Sequence, residues 1–230
     1  MTSMQKRLMH LGLVVVAFCA LSAAAVLAAP DSAAQPSAPA SPAEKSLARL
    51  RLLAQQDRWY EVIERFESED LSAWPEAGEA FHLRGKGYLF LKDAAKAERD
   101  LKAAVERDPE EEFFWYFLAE AYQQLLKDDA RALEAYKKAF ELVAHDELVG
   151  NSRWMPADAA VKAVNILLYQ VKNDAALEIL QRYGDEELKK LHPYGRCRIL
   201  RAYARVYAAQ GREAEALAKF REALIVELSV

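Results

Sequence analysis

From Glu44 onward the apolar positions recur three and four apart, and the recurrence itself repeats. An aromatic or apolar residue is followed by a small residue four on and an aromatic three further. A second run then carries Ala, a large apolar residue and Ala at i, i+4 and i+7. The clearest copy reads Phe81, Gly85, Tyr88, then Ala97, Leu101, Ala104, and closes at Pro109. The next reads Trp115, Ala119, Tyr122, then Ala132, Tyr136, Ala139; a third reads Leu200, Ala204, Tyr207, then Ala216, Phe220, Ala223. Residues three and four apart share a helix face, so each half predicts one helix and the two stripes face each other. The small residues let the backbones approach, and the aromatics fill the volume beside them. Lys92-Asp93, Lys127-Asp128-Asp129 and Gln210-Gly211 supply the turns, and Pro109 stands where a second helix is free to stop. A recurrence of roughly 34 residues with two helical halves marks stacked helical hairpins, which pack on their neighbours and need no single central core.

Two further units are weaker. Near Ser46 to Phe66, Val62 stands where the other units have Ala, and Trp59 is expected in the turn. Near Ala160 to Tyr183, Ala176 and Leu180 fit a second helix, but the helix before them reads as irregular. The marker positions Val62, Ala97, Ala132, Ala176 and Ala216 are 35, 35, 44 and 40 residues apart. The stretch His145 to Pro156 accounts for the longest interval as an inserted loop, with Trp154 folded back onto the array or offered to a partner.

These units resemble tetratricopeptide repeats. Phe81 to Tyr88 and Ala97 to Pro109 match that family's pattern at nearly every key position, the unit around Trp115 matches with one extra residue in its turn, and the unit around Leu200 matches as well. The likeness covers almost everything after residue 43. It implies an all-α domain over residues 44–230, a right-handed superhelical array of about five helix-turn-helix hairpins. It also implies that the first helix of each pair lines a concave groove that binds other proteins. Carried over position by position, the second unit offers Glu79, His82 and Lys86 to that groove, and the third Phe113, Tyr116, Glu120 and Gln123. The fourth offers Asp158, Val161, Lys162, Asn165 and Tyr169, and the fifth Arg198, Arg201 and Arg205. The family's two-carboxylate clamp for chaperone tails needs a set of Lys and Asn that this chain does not reproduce.

The N-terminus departs from this pattern. Lys6 and Arg7 precede an uncharged, mostly apolar run from Leu11 to Leu27, and small residues follow in Val26-Leu27-Ala28-Ala29-Pro30. This is the architecture of a secretory signal, with cleavage expected after Ala28. The alternative is an uncleaved inner-membrane anchor, the apolar run being about 17 residues and at the short edge of the spanning range. Phe18 before Cys19 rules out a lipoprotein signal, which needs a small residue there. Residues 29–43 are rich in Pro, Ala and Ser and read as a linker. Without residues 1–28 the chain has 29 Lys+Arg against 35 Asp+Glu, a net charge of −6. That balance gives no general affinity for nucleic acid or anionic membrane. Cys197 is then the lone cysteine and reads as a small apolar filler.

No catalytic constellation emerges. His10, His82, His145 and His192 are scattered without metal-ligand spacing, and no cofactor motif is present. The acidic run Glu110-Glu111-Glu112 stands at a helix start, where it favours the helix dipole. Arg198, Arg201 and Arg205 are the most specific local signal. At i, i+3 and i+7 they form one stripe, which is either a solvated face with ordinary ion pairs or a patch that reads an acidic segment or carboxylate of a partner chain. In Phe113-Phe114-Trp115-Tyr116-Phe117 one or two rings must either be exposed, as a hot spot, or be covered by the neighbouring unit. The apolar end Ala223 to Val230 predicts self-association or a docked partner through the C-terminal helix, unless that face folds onto the fifth unit. The expected function is a non-enzymatic adaptor of the bacterial periplasm or cell envelope that holds a partner protein in its groove. The alternatives are a membrane-anchored scaffold or chaperone-like subunit of an envelope assembly or secretion complex, and an accessory subunit of an enzyme.

Overall fold

The structure is a computed structural model and describes residues 41–142 and 154–229. The signal and linker expectations for residues 1–40, and most of the expected loop (143–153), lie outside the described residues. No helix among the described residues is long and apolar enough to cross a membrane.

The described residues form 11 helices and no strand. Five hairpins follow in order: α1 (Pro42–Gln55) with α2 (Trp59–Phe66), α3 (Ala77–Leu91) with α4 (Ala94–Arg107), α5 (Glu112–Glu120) with α6 (Asp129–Leu142), α7 (Trp154–Tyr169) with α8 (Asn173–Leu180), and α10 (Pro193–Ala209) with α11 (Glu213–Leu228). The short helix α9 (Asp185–Lys190) is inserted before the fifth hairpin. Ser41 caps α1 through a reciprocal capping box with Glu44, and Pro42 occupies its first turn. The array therefore begins within the last residues expected of the linker.

Each hairpin turns in the same way. A residue in left-handed backbone follows the first helix: Asp57 (φ 53°), Lys92 (62°), Lys127 (56°), Val171 (58°) and Gly211 (73°). The next N–H then closes the helix end. Arg58 donates to the Leu53 carbonyl at 2.9 Å, Asp93 to Tyr88 at 3.0 Å, Asp128 to Tyr122 at 2.9 Å, Lys172 to Leu167 at 2.8 Å and Arg212 to Tyr207 at 2.9 Å. These bonds satisfy carbonyls that a helix end would otherwise leave bare. The third bond reaches one residue further back than the others, because the chain from Ala121 to Leu126 winds as a π-helical turn. That turn absorbs the extra residue legible in the sequence.

Packing between the paired helices follows the stripes. Ala97, Leu101, Ala104, Ala119, Ala132, Tyr136, Ala139, Leu200 and Ala204 are fully buried. A Cβ on Gly85 would lie 2.7 Å from Leu101 Cγ, so the glycine is what permits that approach of α3 to α4. Consecutive hairpins are also tied by a buried charge. Arg84 Nε donates to Asp100 Oδ2 at 2.6 Å, and its Nη1 donates to the Phe66 and Glu69 carbonyls, each at 2.9 Å. A buried ion pair is tolerable only when its remaining donors are satisfied in this way.

Three sequence expectations are corrected. Trp59 is not in a turn; it opens α2 and is buried, because the turn needs only Gln56 to Arg58. The first helix of the fourth hairpin is not irregular but an unbroken helix of 16 residues. It lies between α6 and α10 and is covered on both sides, so its sequence lacks the contrast between apolar and polar faces. Phe220 is not packed in its stripe but 45% exposed, since no described helix covers the outer side of α11. Leu217, Leu224, Ile225 and Leu228 on that helix are exposed as well.

Candidate protein-binding face

The first helices α1, α3, α5, α7 and α10 stand in sequence, and the polar residues expected to line the groove tie each to the next. Between α1 and α3, Arg51 Nε donates to Glu79 Oε1 at 2.9 Å and its Nη2 meets Glu76 at 2.5 Å. Between α3 and α5, His82 stacks on Phe114 with ring centroids 4.7 Å apart and meets Phe117 edge-on at 5.1 Å. Between α5 and α7, the Tyr116 hydroxyl donates to Asp158 Oδ2 at 2.5 Å, and the Lys162 ammonium pairs with Glu120. Glu120 also accepts from the Tyr136 hydroxyl and the Gln124 amide, and the Gln123 side-chain amide lies 3.0 Å from that hydroxyl. Between α7 and α10, Arg198 pairs with Asp158, and Arg205 Nη1 donates to Asn165 Oδ1 at 2.6 Å.

His82, Tyr116, Glu120 and Asp158 were expected to face the groove, as was Val161; all five are buried. For the four polar residues burial follows from this ladder, since each reaches a neighbouring first helix. Burial, and then the bond to Asp158, push the Tyr116 hydroxyl well above the usual phenol range; burial and Glu120 do the same to Tyr136. Both therefore remain protonated donors. Burial, reinforced by the Lys86 charge, lowers the His82 imidazole to about 3. His82 is neutral near pH 7, with its buried Nδ1 unpaired among the described residues.

The arginine stripe is largely engaged within the chain. Arg198 and Arg205 bond α7, and Arg201, half exposed, meets Glu227 of α11 at 2.5 Å. In the aromatic run, Tyr116 is covered by the neighbouring unit, its ring meeting Trp154 edge-on at 5.4 Å. Tyr169 lies 84% exposed at the end of α7, without a partner ring or charge among the described residues. Cys197 is buried.

Lys86 differs from the other cations on this face. It is partly buried on α3, its Nζ 4.3 Å from the Phe117 ring centroid and 5.2 Å from that of Trp59. No carboxylate among the described residues comes within ion-pair distance of it. Burial lowers its pKa, and the more distant Asp57 only opposes that shift. Lys86 lines a cleft of about 780 Å³ between α3 and α5 that also includes Trp59, Leu89, Phe90, Phe117, Leu125, Lys92 and Lys127. Nothing in the spacing joins Trp59, Phe90 and Leu125, which come from three different helical segments. A second cleft of about 740 Å³ adjoins His82 at the other end of the same two helices and is lined by Glu76, Glu79, Asp108 and Glu110. Among the described residues no group of three or more His, Cys, Asp or Glu is arranged to hold a metal ion.

Comparison with known proteins places the fold. No family model matches the chain, and no curated protein does. Solved structures do. The crystal structure of a MamA protein is 20% identical with a TM-score of 0.61, over 80% of this chain and 91% of that one. BtubC (BKLC) from P. vanneervenii is 16% identical with a TM-score of 0.57, over 80% and 76%. YrrB, described as a TPR protein with an unusual peptide-binding site, is 16% identical with a TM-score of 0.50, over 79% and 80%. The fold is that of a tetratricopeptide-repeat array.

Proposed function

We propose that this chain is an exported, non-enzymatic adaptor that holds a segment of a partner protein on its first-helix face, in the bacterial periplasm or cell envelope. The cleft between α3 and α5 carries the reading: it is open, partly apolar, and holds a cation with no ion-pair partner among the described residues. The peptide-binding site named for YrrB supports it by analogy of fold. The signal-like N-terminus supports export. Placing a photo-crosslinking residue at Gln124, on the cleft, or at Glu106, on the exposed side of α4, tests the reading in intact cells. A partner captured from Gln124 and not from Glu106 supports it. Equal capture from both, or capture from neither, refutes it. N-terminal sequencing of the cell-derived protein separates a cleaved periplasmic form from an anchored scaffold. A second reading is a second copy docked on the exposed apolar stripe of α11, and sedimentation equilibrium of the full chain decides it.

A further inference from the structure

We infer that the α3–α5 cleft reads an acidic side chain lying next to an apolar one in the partner segment, with Lys86 meeting the carboxylate. This deepens the adaptor reading and rests on it.

The first argument is one of unsatisfied charge. On the first-helix face Arg51, Lys162, Arg198 and Arg201 each have a carboxylate, and Arg205 has an amide oxygen. Lys86 has two aromatic faces and, among the described residues, no ion-pair partner. The rings favour a cation but do not neutralise it. They also fix its position and remove part of its water. A carboxylate arriving there meets a pre-placed, half-dehydrated ammonium, where an ion pair is worth more than on an open surface.

The second argument concerns what surrounds it. Lys92 and Lys127 stand at the rim, each in the left-handed residue of its turn, and neither is ion-paired among the described residues. They attract an acidic segment and repel a basic one. Two acids also line the cleft: Glu120 is held by three donors, and Asp57, whose charge reaches Lys86 without pairing with it, leaves the three lysines in excess. Leu89, Leu125 and the 57% exposed Phe90 give the walls an apolar stretch, which calls for an apolar side chain beside the acid. The acid is a side chain within the segment and not a chain terminus. From Lys86 the same face of α3 continues through His82 to Glu79 and the second cleft, so a bound chain has room to run on.

The test uses random peptides displayed on phage, selected against the full chain. Enriched sequences are resynthesised with free and with amidated C-termini. The proteins are wild type, Lys86→Met, and the exposed rim pair Lys92→Ser/Lys127→Ser, each checked for helicity. Expected are peptides with Asp or Glu beside an apolar residue, binding equally well when amidated. Lys86→Met should weaken them about 10- to 100-fold, the span of one charge-assisted bond. A Glu→Gln peptide should bind wild type and Lys86→Met alike, and the rim pair should lower the salt dependence of binding. Cleft-bound peptides with no acid preference, or an acid preference that survives Lys86→Met, would overturn this inference and leave the adaptor reading standing. Loss of binding on amidation would assign the carboxylate to a chain terminus and also overturn it. No enrichment, or peptides that ignore every cleft variant, would overturn both.

Discussion

Asp158 joins three hairpins through one carboxylate, and its removal has a cost that the geometry sets. It accepts from Tyr116 of α5 at 2.5 Å, pairs with Arg198 of α10, and lies 4.0 Å from Lys162 of its own helix. Asp158→Ala removes a bond to a charged acceptor, worth about 1.5–3 kcal/mol, and leaves the buried Tyr116 hydroxyl without its acceptor. It also removes the Arg198 pair. The Arg198 side chain is 30% exposed, so that pair is discounted for solvent to about 1 kcal/mol. Lys162 retains Glu120 and adds little. The sum is a loss of about 2.5–4 kcal/mol. Asp158→Asn keeps an oxygen for Tyr116 and loses only the charge, so about 1–2 kcal/mol is expected. Urea unfolding followed by far-UV circular dichroism reads both, provided the m-value is unchanged. An alanine variant costing under about 1 kcal/mol, or an asparagine variant as costly as the alanine, would show that the three-hairpin junction does not carry the stability assigned to it.

Two further outcomes follow from single residues. His82 is buried and neutral, with its folded pKa lowered to about 3 from an ordinary 6.5. Its contribution is complete above pH 6.5 and is lost as pH falls from there towards 3, because only the unfolded chain takes up the proton. Relative to His82→Gln, wild type should lose up to about 1.4 kcal/mol per pH unit below 6; parallel pH profiles for the two proteins would refute the burial argument. Val171 is β-branched, holds φ 58° in the fourth turn and is 78% exposed. Val171→Gly should therefore stabilise by about 1 kcal/mol, and a melting temperature that falls would mean the side chain packs more than its exposure indicates.

Much of the fold was legible because the repeat is written twice. The sequence markers from Val62 to Ala216 are 35, 35, 44 and 40 residues apart. The left-handed turn residues Asp57, Lys92, Lys127, Val171 and Gly211 keep those same intervals. Small residues such as Gly85 and Ala97 had to be conspicuous, since nothing larger lets α3 and α4 approach. What was illegible has a physical reason in each case. Helix α7 is buried on both sides, so no amphipathic stripe announced it. Val171 gives no turn signal at all, because solvent exposure and the rest of the hairpin tolerate a residue that the local backbone disfavours. Trp59 sat beside a turn whose length could not be read to one residue.

The site was less legible, because groove position and groove availability are different properties. The family resemblance put Tyr116, Glu120, Asp158 and Arg198 on the first helices, and the structure has them on α5, α7 and α10. Spacing could not show that they would bind one another: Tyr116 and Asp158 are 42 residues apart, as are Glu120 and Lys162. Stacked hairpins bring such pairs into contact at every junction, and a polar residue there is buried unless its neighbour leaves room. The unpaired cation is therefore the informative one. At Lys86 the facing residue of the next hairpin is Phe117, not an acid, which is the ground for the acidic partner segment proposed above. The same reasoning demotes the arginine stripe: three arginines in register attract notice in the sequence, yet α7 and α11 present an acid or amide to each. A cation's worth for recognition in such an array is set by what the adjacent hairpin places opposite it.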